Sequence, residues 1–122
     1  MTAESQVEIV REVLRAMEER RVHDVSAYTT RDIEWLPVSR PAEPVYTGDE
    51  GTWRLIDDVH RVRPGYTLRY EITQTGPSTV VAKICMEYVG RDGETVETWF
   101  QSTFTFDGDK ICRGESTALD PP

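Results

Sequence analysis

Arg113 and Glu115 flank Gly114 in the run KICRGEST, in phase with Ile111, so strict strand alternation predicts that both turn toward the apolar side. Two ionisable groups on a cavity wall would pair and perturb each other's pKa, as active sites often arrange. A β-bulge would reverse that phase and leave an exposed salt bridge instead. Gly114 between them leaves space or a bend. Tyr70, Thr98 and Ser102 share phase with apolar neighbours, and burying such hydroxyls without partners costs about 1–3 kcal/mol. Tyr70 would donate a hydrogen bond to a substrate oxygen, or would be a core tyrosine with a satisfied hydroxyl; Thr98 and Ser102 would line a pocket or simply be small. His60, beside Val59 and one turn from Ile56, sits at the edge of an apolar helical stripe, as a general acid or base or as a solvated flank. Trp35, Tyr46 and Trp53 would wall a pocket mouth or pack in the core, and both readings predict burial.

These residues need a scaffold, and the 122 residues suit one domain over residues 1–122. Hydrophobic residues at 38% and charged residues at 30% can bury a core, which argues against global disorder. A net charge of −8, from 14 Lys and Arg against 22 Asp and Glu, repels phosphate backbones and anionic lipids, so nucleic acid and membrane are not expected partners. The expected location is the cytoplasm, since no long apolar run or basic-then-apolar leader is present. Two cysteines and two histidines at scattered positions lack the spacing of a zinc site, and no glycine-rich phosphate loop appears, so no metal or cofactor is expected.

Apolar positions Val7, Val10, Val13, Leu14 and Met17 predict a helix over residues 5–20, with Ser5 and Glu8 as a capping box. A short helix is expected from His23 to about Thr29. IEWLPV reads as a strand cut by Pro37, and SRPAEPVY as an extended loop. A third helix would start from a Thr47–Glu50 capping box, carry Trp53, Leu55, Ile56, Val59 and Val62, and end at Pro64-Gly65. The period then changes to two. Leu68, Tyr70 and Ile72, then Val80, Ala82, Ile84, Met86 and Tyr88, then Val96 through Phe106, alternate along three strands; a last strand runs from Lys110 to about Leu119. Gly76-Pro77, Asp92-Gly93 and Asp107-Gly108 are short turns that make neighbours antiparallel. Helices before strands imply an α+β fold. Such long strands must curl, and three helices across the concave side would leave a cone open at one end.

The opening helix REVLRAMEERRVHDV, then DIEWLPV, YTGDEGTWRLIDDVH and FTFDGDKI followed by CRGESTALD, resemble the SnoaL-like branch of the NTF2-like (cystatin-like, α+β barrel) superfamily over nearly the whole chain. The resemblance implies a cone of three N-terminal helices packed on a strongly curved, mostly antiparallel sheet. It spans polyketide cyclases, ketosteroid isomerases, epoxide hydrolases, dehydratases and noncatalytic binders, so it does not select an activity. Aligning on Pro37-Val38 puts Leu36 where the isomerases carry their catalytic carboxylate, which disfavours that mechanism. By analogy with the cyclases and dehydratases, Asp57 and His60, three apart on one helix face, form a candidate acid–base pair, with Tyr70 and Arg113 stabilising developing negative charge. Arg113 with Asp57 or Glu115 is a rough counterpart of the epoxide hydrolase relay.

Whether the chain is an enzyme stays open at this point. One expectation is a cofactor-independent lyase, isomerase or hydrolase acting on an apolar, oxygen-bearing small molecule, which a cavity of about 300 Å³ or more lined by these polar groups would support. The other is a noncatalytic ligand-binding or dimerisation module with a packed interior. Trp99 among threonines on the outer sheet face predicts a homodimer through that face, as is common in the resembled family.

Overall fold

The computed structural model describes residues 3–38 and 42–121, with side chains from residue 5 onward. Three helices are present, α1 (Ala3–Glu18), α2 (Val22–Ser26) and α3 (Gly48–Val62). The strands are β1 (Thr29–Leu36), β2 (Tyr46–Thr47), β3 (Thr67–Gly76), β4 (Thr79–Val89), β5 (Thr95–Asp107) and β6 (Lys110–Ala118). They form one sheet in the order β2-β1-β6-β5-β4-β3. Every pair is antiparallel except β1 with β6. This parallel pairing joins the amino-terminal strand to the carboxyl-terminal one.

Helix α1 begins two residues before Ser5, so Ser5 lies within the first turn and not ahead of the helix as the capping-box reading required. Thr47 does occupy the N-cap of α3 with an extended backbone, but its side chain makes no capping hydrogen bond. Helix α3 ends before Pro64, as expected. In the expected extended loop 39–46, residues 39–41 lie outside the described residues, and Tyr46 already pairs with Trp35 in the sheet. Gly93 and Gly108 sit in the two Asp-Gly turns with φ of 83° and 63°, the left-handed region that a side chain disfavours.

Alternation in β3, β4 and β5 puts the expected residues on one face. Val80, Ala82, Ile84 and Phe104 there are almost wholly buried against Val10, Val13 and Leu14 of α1 and Ile56 of α3. Helix α1 packs on β3 at one edge, α3 packs on β1 and β2 at the other, and α2 lies against both helices. A sheet whose opposite edges are bridged by contacting helices must curve around them, and the helices roof its concave side.

Candidate functional site

Between the roof and the sheet lies a cavity of about 110 Å³. Its deep walls are aromatic and aliphatic, from Trp35 on β1, Phe100 and Phe104 on β5, Ile84 on β4 and Leu55 and Ile56 on α3. Half-buried Leu36, Pro37, Val38, Arg63 and Leu68 mark its open side, where the chain leaves β1 and passes from α3 into β3. The volume falls below the 300 Å³ expected of a roomy enzyme pocket, yet the interior is not filled by its own side chains.

Trp35 is the wall that most depends on its supports. Its indole Nε1 donates to Thr52 Oγ1 at 2.9 Å, and that hydroxyl donates in turn to the Gly48 carbonyl at 2.9 Å. Phe104 meets the ring edge-on, with centroids 6.3 Å apart. Gly114 stands beside Trp35 in the parallel pair, and a Cβ built there would lie 2.4 Å from Trp35 Cζ3. The missing side chain of residue 114 is therefore the room that Trp35 occupies. Next to it, Ser102 and Ser116 face each other across β5 and β6 with their hydroxyl oxygens 2.7 Å apart, so each satisfies the other at the cavity wall.

Arg63 and Tyr66 add polar groups to the cavity lining, and Tyr88, outside the lining, stands against Arg63. Arg63 follows the last residue of α3, and its guanidinium carbon stands 5.3 Å from the centre of the Tyr88 ring on β4. Hydrogen bonding from Arg63, helped by Thr98, holds the Tyr88 phenol below its ordinary pKa against an opposing push from burial. Tyr66 behaves oppositely: burial first, and then the nearby Glu18 charge, raise its pKa well above the usual value and keep it a proton donor. Its ring lies 4.6 Å from that of His60. His60 Nε2 is 2.8 Å from the Met17 carbonyl, and since a carbonyl only accepts, that nitrogen carries the proton.

Several expected positions need correction. Arg113 and Glu115 point outward and are exposed, because the β5–β6 register shifts between Thr105 and Phe106 and makes Cys112 an extra residue. Arg113 lies 3.7 Å from Glu115 and 3.9 Å from Glu34, the surface-pair alternative. The same bulge turns Gly114 and Ser116 inward. Asp57 and His60 do share a flank of α3, but that flank faces the end of α1: Asp57 is exposed and pairs with Arg20 at 3.1 Å. Trp53, expected to be buried, is 57% exposed, since it lies about 100° around the helix from Thr52 at the centre of the buried stripe. Tyr46 is fully buried outside the cavity, donating to Asp58 Oδ2 at 2.7 Å, and burial followed by that carboxylate raises its pKa. Tyr70 lies on the inner face but away from the cavity lining, and Thr98, also outside the lining, hydrogen-bonds Tyr88. Of the residues singled out from sequence, Trp35, Ser102 and Gly114 line the cavity. Arg63 and Tyr88 were missed, although Arg63 continues the helical spacing of Ile56 and Val59 and Tyr88 was already in phase with Met86.

The SnoaL-like domain model matches residues 10–114, most of the chain. The protein belongs to the SnoaL-like domain family. A search of curated proteins finds no match to this SnoaL-like chain. Among solved structures it is similar to TerC co-crystallised with polyporic acid, at 20% identity and a TM-score of 0.80, covering 94% of this chain and 92% of that one. It is similar to an NTF2-like protein of unknown function from Burkholderia pseudomallei at 18% identity and a TM-score of 0.82, covering 98% and 92%. The epoxide hydrolase/cyclase-like enzyme SalBIII, of pyran ring formation in salinomycin, aligns at 15% identity and a TM-score of 0.76 over 95% and 92%. At these identities the likeness establishes the NTF2-like α+β fold. Among the described residues no helix is long and apolar enough to cross a membrane.

Proposed function

We propose that this SnoaL-like domain binds a small, largely apolar, oxygen-bearing molecule in the cavity between the helices and the sheet. The observation that carries the reading is the lining itself: aromatic and aliphatic walls around a few hydrogen-bonding groups, Tyr66, Ser102, Ser116 and Arg63. That division suits a ligand whose body is apolar and whose oxygen needs a donor. Such ligands also fit the company of TerC, which was crystallised with polyporic acid, and of SalBIII.

No carboxylate or imidazole is among the described lining residues, which favours binding over proton abstraction. A cofactor-independent lyase, isomerase or hydrolase is the second reading, and the observation in its favour is Tyr88. Its phenol, outside the lining but against Arg63 of the open side, has a lowered pKa, which suits a group that gives and recovers a proton. The outer sheet face, where Trp99 pairs with Cys85, supports a homodimer, and light scattering at micromolar concentration returning the monomer mass would contradict it. A cytoplasmic setting suits Cys85 and Cys112, free thiols on β4 and β6 with β5 between them.

Native mass spectrometry of the purified protein tests the binding reading. A retained small lipophilic molecule, released by Gly114→Leu, which drives Trp35 into the cavity, is the expected result. Ligand retained equally by the wild type and by that variant would place the ligand elsewhere and overturn the reading.

A further inference from the structure

Ser102 interrupts the apolar inward row of β5 between Phe100 and Phe104, with Ala82 of β4 on one side of it and Ser116 of β6 on the other. Both serines line the cavity, and Ser102 is 5% exposed. Their oxygens are 2.7 Å apart, which is one hydrogen bond, but two hydroxyls carry two protons. Whichever serine donates, the proton of its partner is left over, and neither side chain makes another hydrogen bond among the described residues. That proton sits on an oxygen that already accepts, which strengthens it as a donor. The other polar side chains of the lining offer it no acceptor except the Tyr66 hydroxyl, since Arg63 only donates and the Trp35 N–H is spent on Thr52. A donor left without an acceptor on an apolar wall forfeits its hydration until something that accepts arrives.

We propose that the Ser102–Ser116 pair is the element that recognises the ligand's oxygen, and that it selects a carbonyl compound over a hydrocarbon of the same shape. The carbonyl oxygen meets the remaining O–H at the β5–β6 wall, and the apolar body lies against Phe100, Phe104 and Trp35. Because the direction of the shared hydrogen bond can reverse, either serine can present the proton. A carbonyl accepts and brings no proton of its own, whereas a ligand hydroxyl adds one more to a wall that already holds a proton without a protein acceptor. The inference rests on the cavity being a binding site, and the test separates the two.

Acetophenone and α-methylstyrene share a shape and differ in a carbonyl oxygen against a terminal methylene. Both are titrated into the wild type and into the double variant Ser102→Ala with Ser116→Ala, with the Trp35 indole N–H followed by NMR. Taking the ratio of the two affinities within each protein cancels what the substitutions do to the cavity as a whole. A neutral hydrogen bond contributes about 2- to 10-fold in affinity, so the double variant is expected to lose acetophenone relative to α-methylstyrene by that factor. An unchanged ratio would overturn the recognition and leave the binding site standing. Failure of both probes to shift the wild-type Trp35 signal would overturn both. If the double variant fails to fold, the wild type decides by infrared spectroscopy of carbonyl-labelled acetophenone and by nuclear Overhauser effects. A bound carbonyl stretch below its value in hexane, with contacts from the acetophenone methyl group to the Ser102 or Ser116 β-protons, is expected; an unshifted stretch, or no such contact, overturns the proposal.

Discussion

Substituting Gly114 by alanine tests the packing that shapes the cavity. Gly114 is buried, its φ is not among the positive ones, and alanine at a strand position would ordinarily stabilise by about 0.5–1 kcal/mol through lost unfolded-state freedom. Here the added Cβ would stand 2.4 Å and 2.5 Å from two carbons of the Trp35 ring, about 1 Å short of ordinary contact. The ring cannot retreat freely. Its N–H is tied to Thr52, Phe104 meets it edge-on, and the indole is 4% exposed. Overpacking of this kind costs about 1–3 kcal/mol, and freeing the indole N–H from Thr52 adds about 1 kcal/mol or more. Gly114→Ala is therefore expected to destabilise by about 2–3 kcal/mol in urea unfolding, with an unchanged dependence on denaturant. In the background Trp35→Leu the same change should cost much less, giving a coupling of about 1 kcal/mol or more in a double-mutant cycle. A Gly114→Ala protein as stable as wild type, or costs that simply add, would refute the reasoning.

Other perturbations follow from neighbouring contacts. Thr52→Val removes the acceptor of a buried indole N–H and should cost about 1–3 kcal/mol by urea unfolding, with Thr52→Ser closer to wild type. Tyr66 has a raised pKa in the folded chain, so unfolding is favoured once pH climbs past the unfolded value of about 10; stability present below that pH is lost above it. Tyr66→Phe should match the wild type at pH 7 and lose less stability between pH 9 and about pH 11 in an alkaline titration of unfolding; parallel curves would contradict this. Arg113→Ala and Glu115→Gln, both on the exposed face, should each change stability by less than about 0.5 kcal/mol and leave benzyl alcohol binding intact by NMR.

The strands were readable wherever the period of two ran unbroken. Val80 to Tyr88 and Val96 to Phe106 face inward as their alternation required, because each strand has one buried face. The reading failed at Cys112, where one inserted residue reverses the phase of Arg113 and Glu115 and no residue type announces a bulge. Helix α3 shows the same limit at finer angle. Trp53 looked like core by composition, but burial is decided by angle, and the stripe of Thr52, Leu55 and Ile56 leaves the indole on the flank. His60 was correctly placed at the stripe's edge, yet which element it meets there, the Met17 carbonyl of α1, depends on packing between segments far apart in the chain. The pairing of β1 with β6 and the meeting of Arg63 with Tyr88 are likewise non-local, and local pattern carries no signal for either. Gly114 was noticed as a missing side chain; that Trp35 fills the gap required the register.

Intermolecular nuclear Overhauser effects from bound benzyl alcohol test most directly whether the chamber beneath the helices receives a ligand. The expected contacts run from the probe's ring protons to the Trp35 ring, the Phe104 ring and the Ile84 methyl groups, which face one another across the lining. Contacts confined to the outer-face Trp99 or to the exposed Trp53, with none to Trp35 or Phe104, would contradict it.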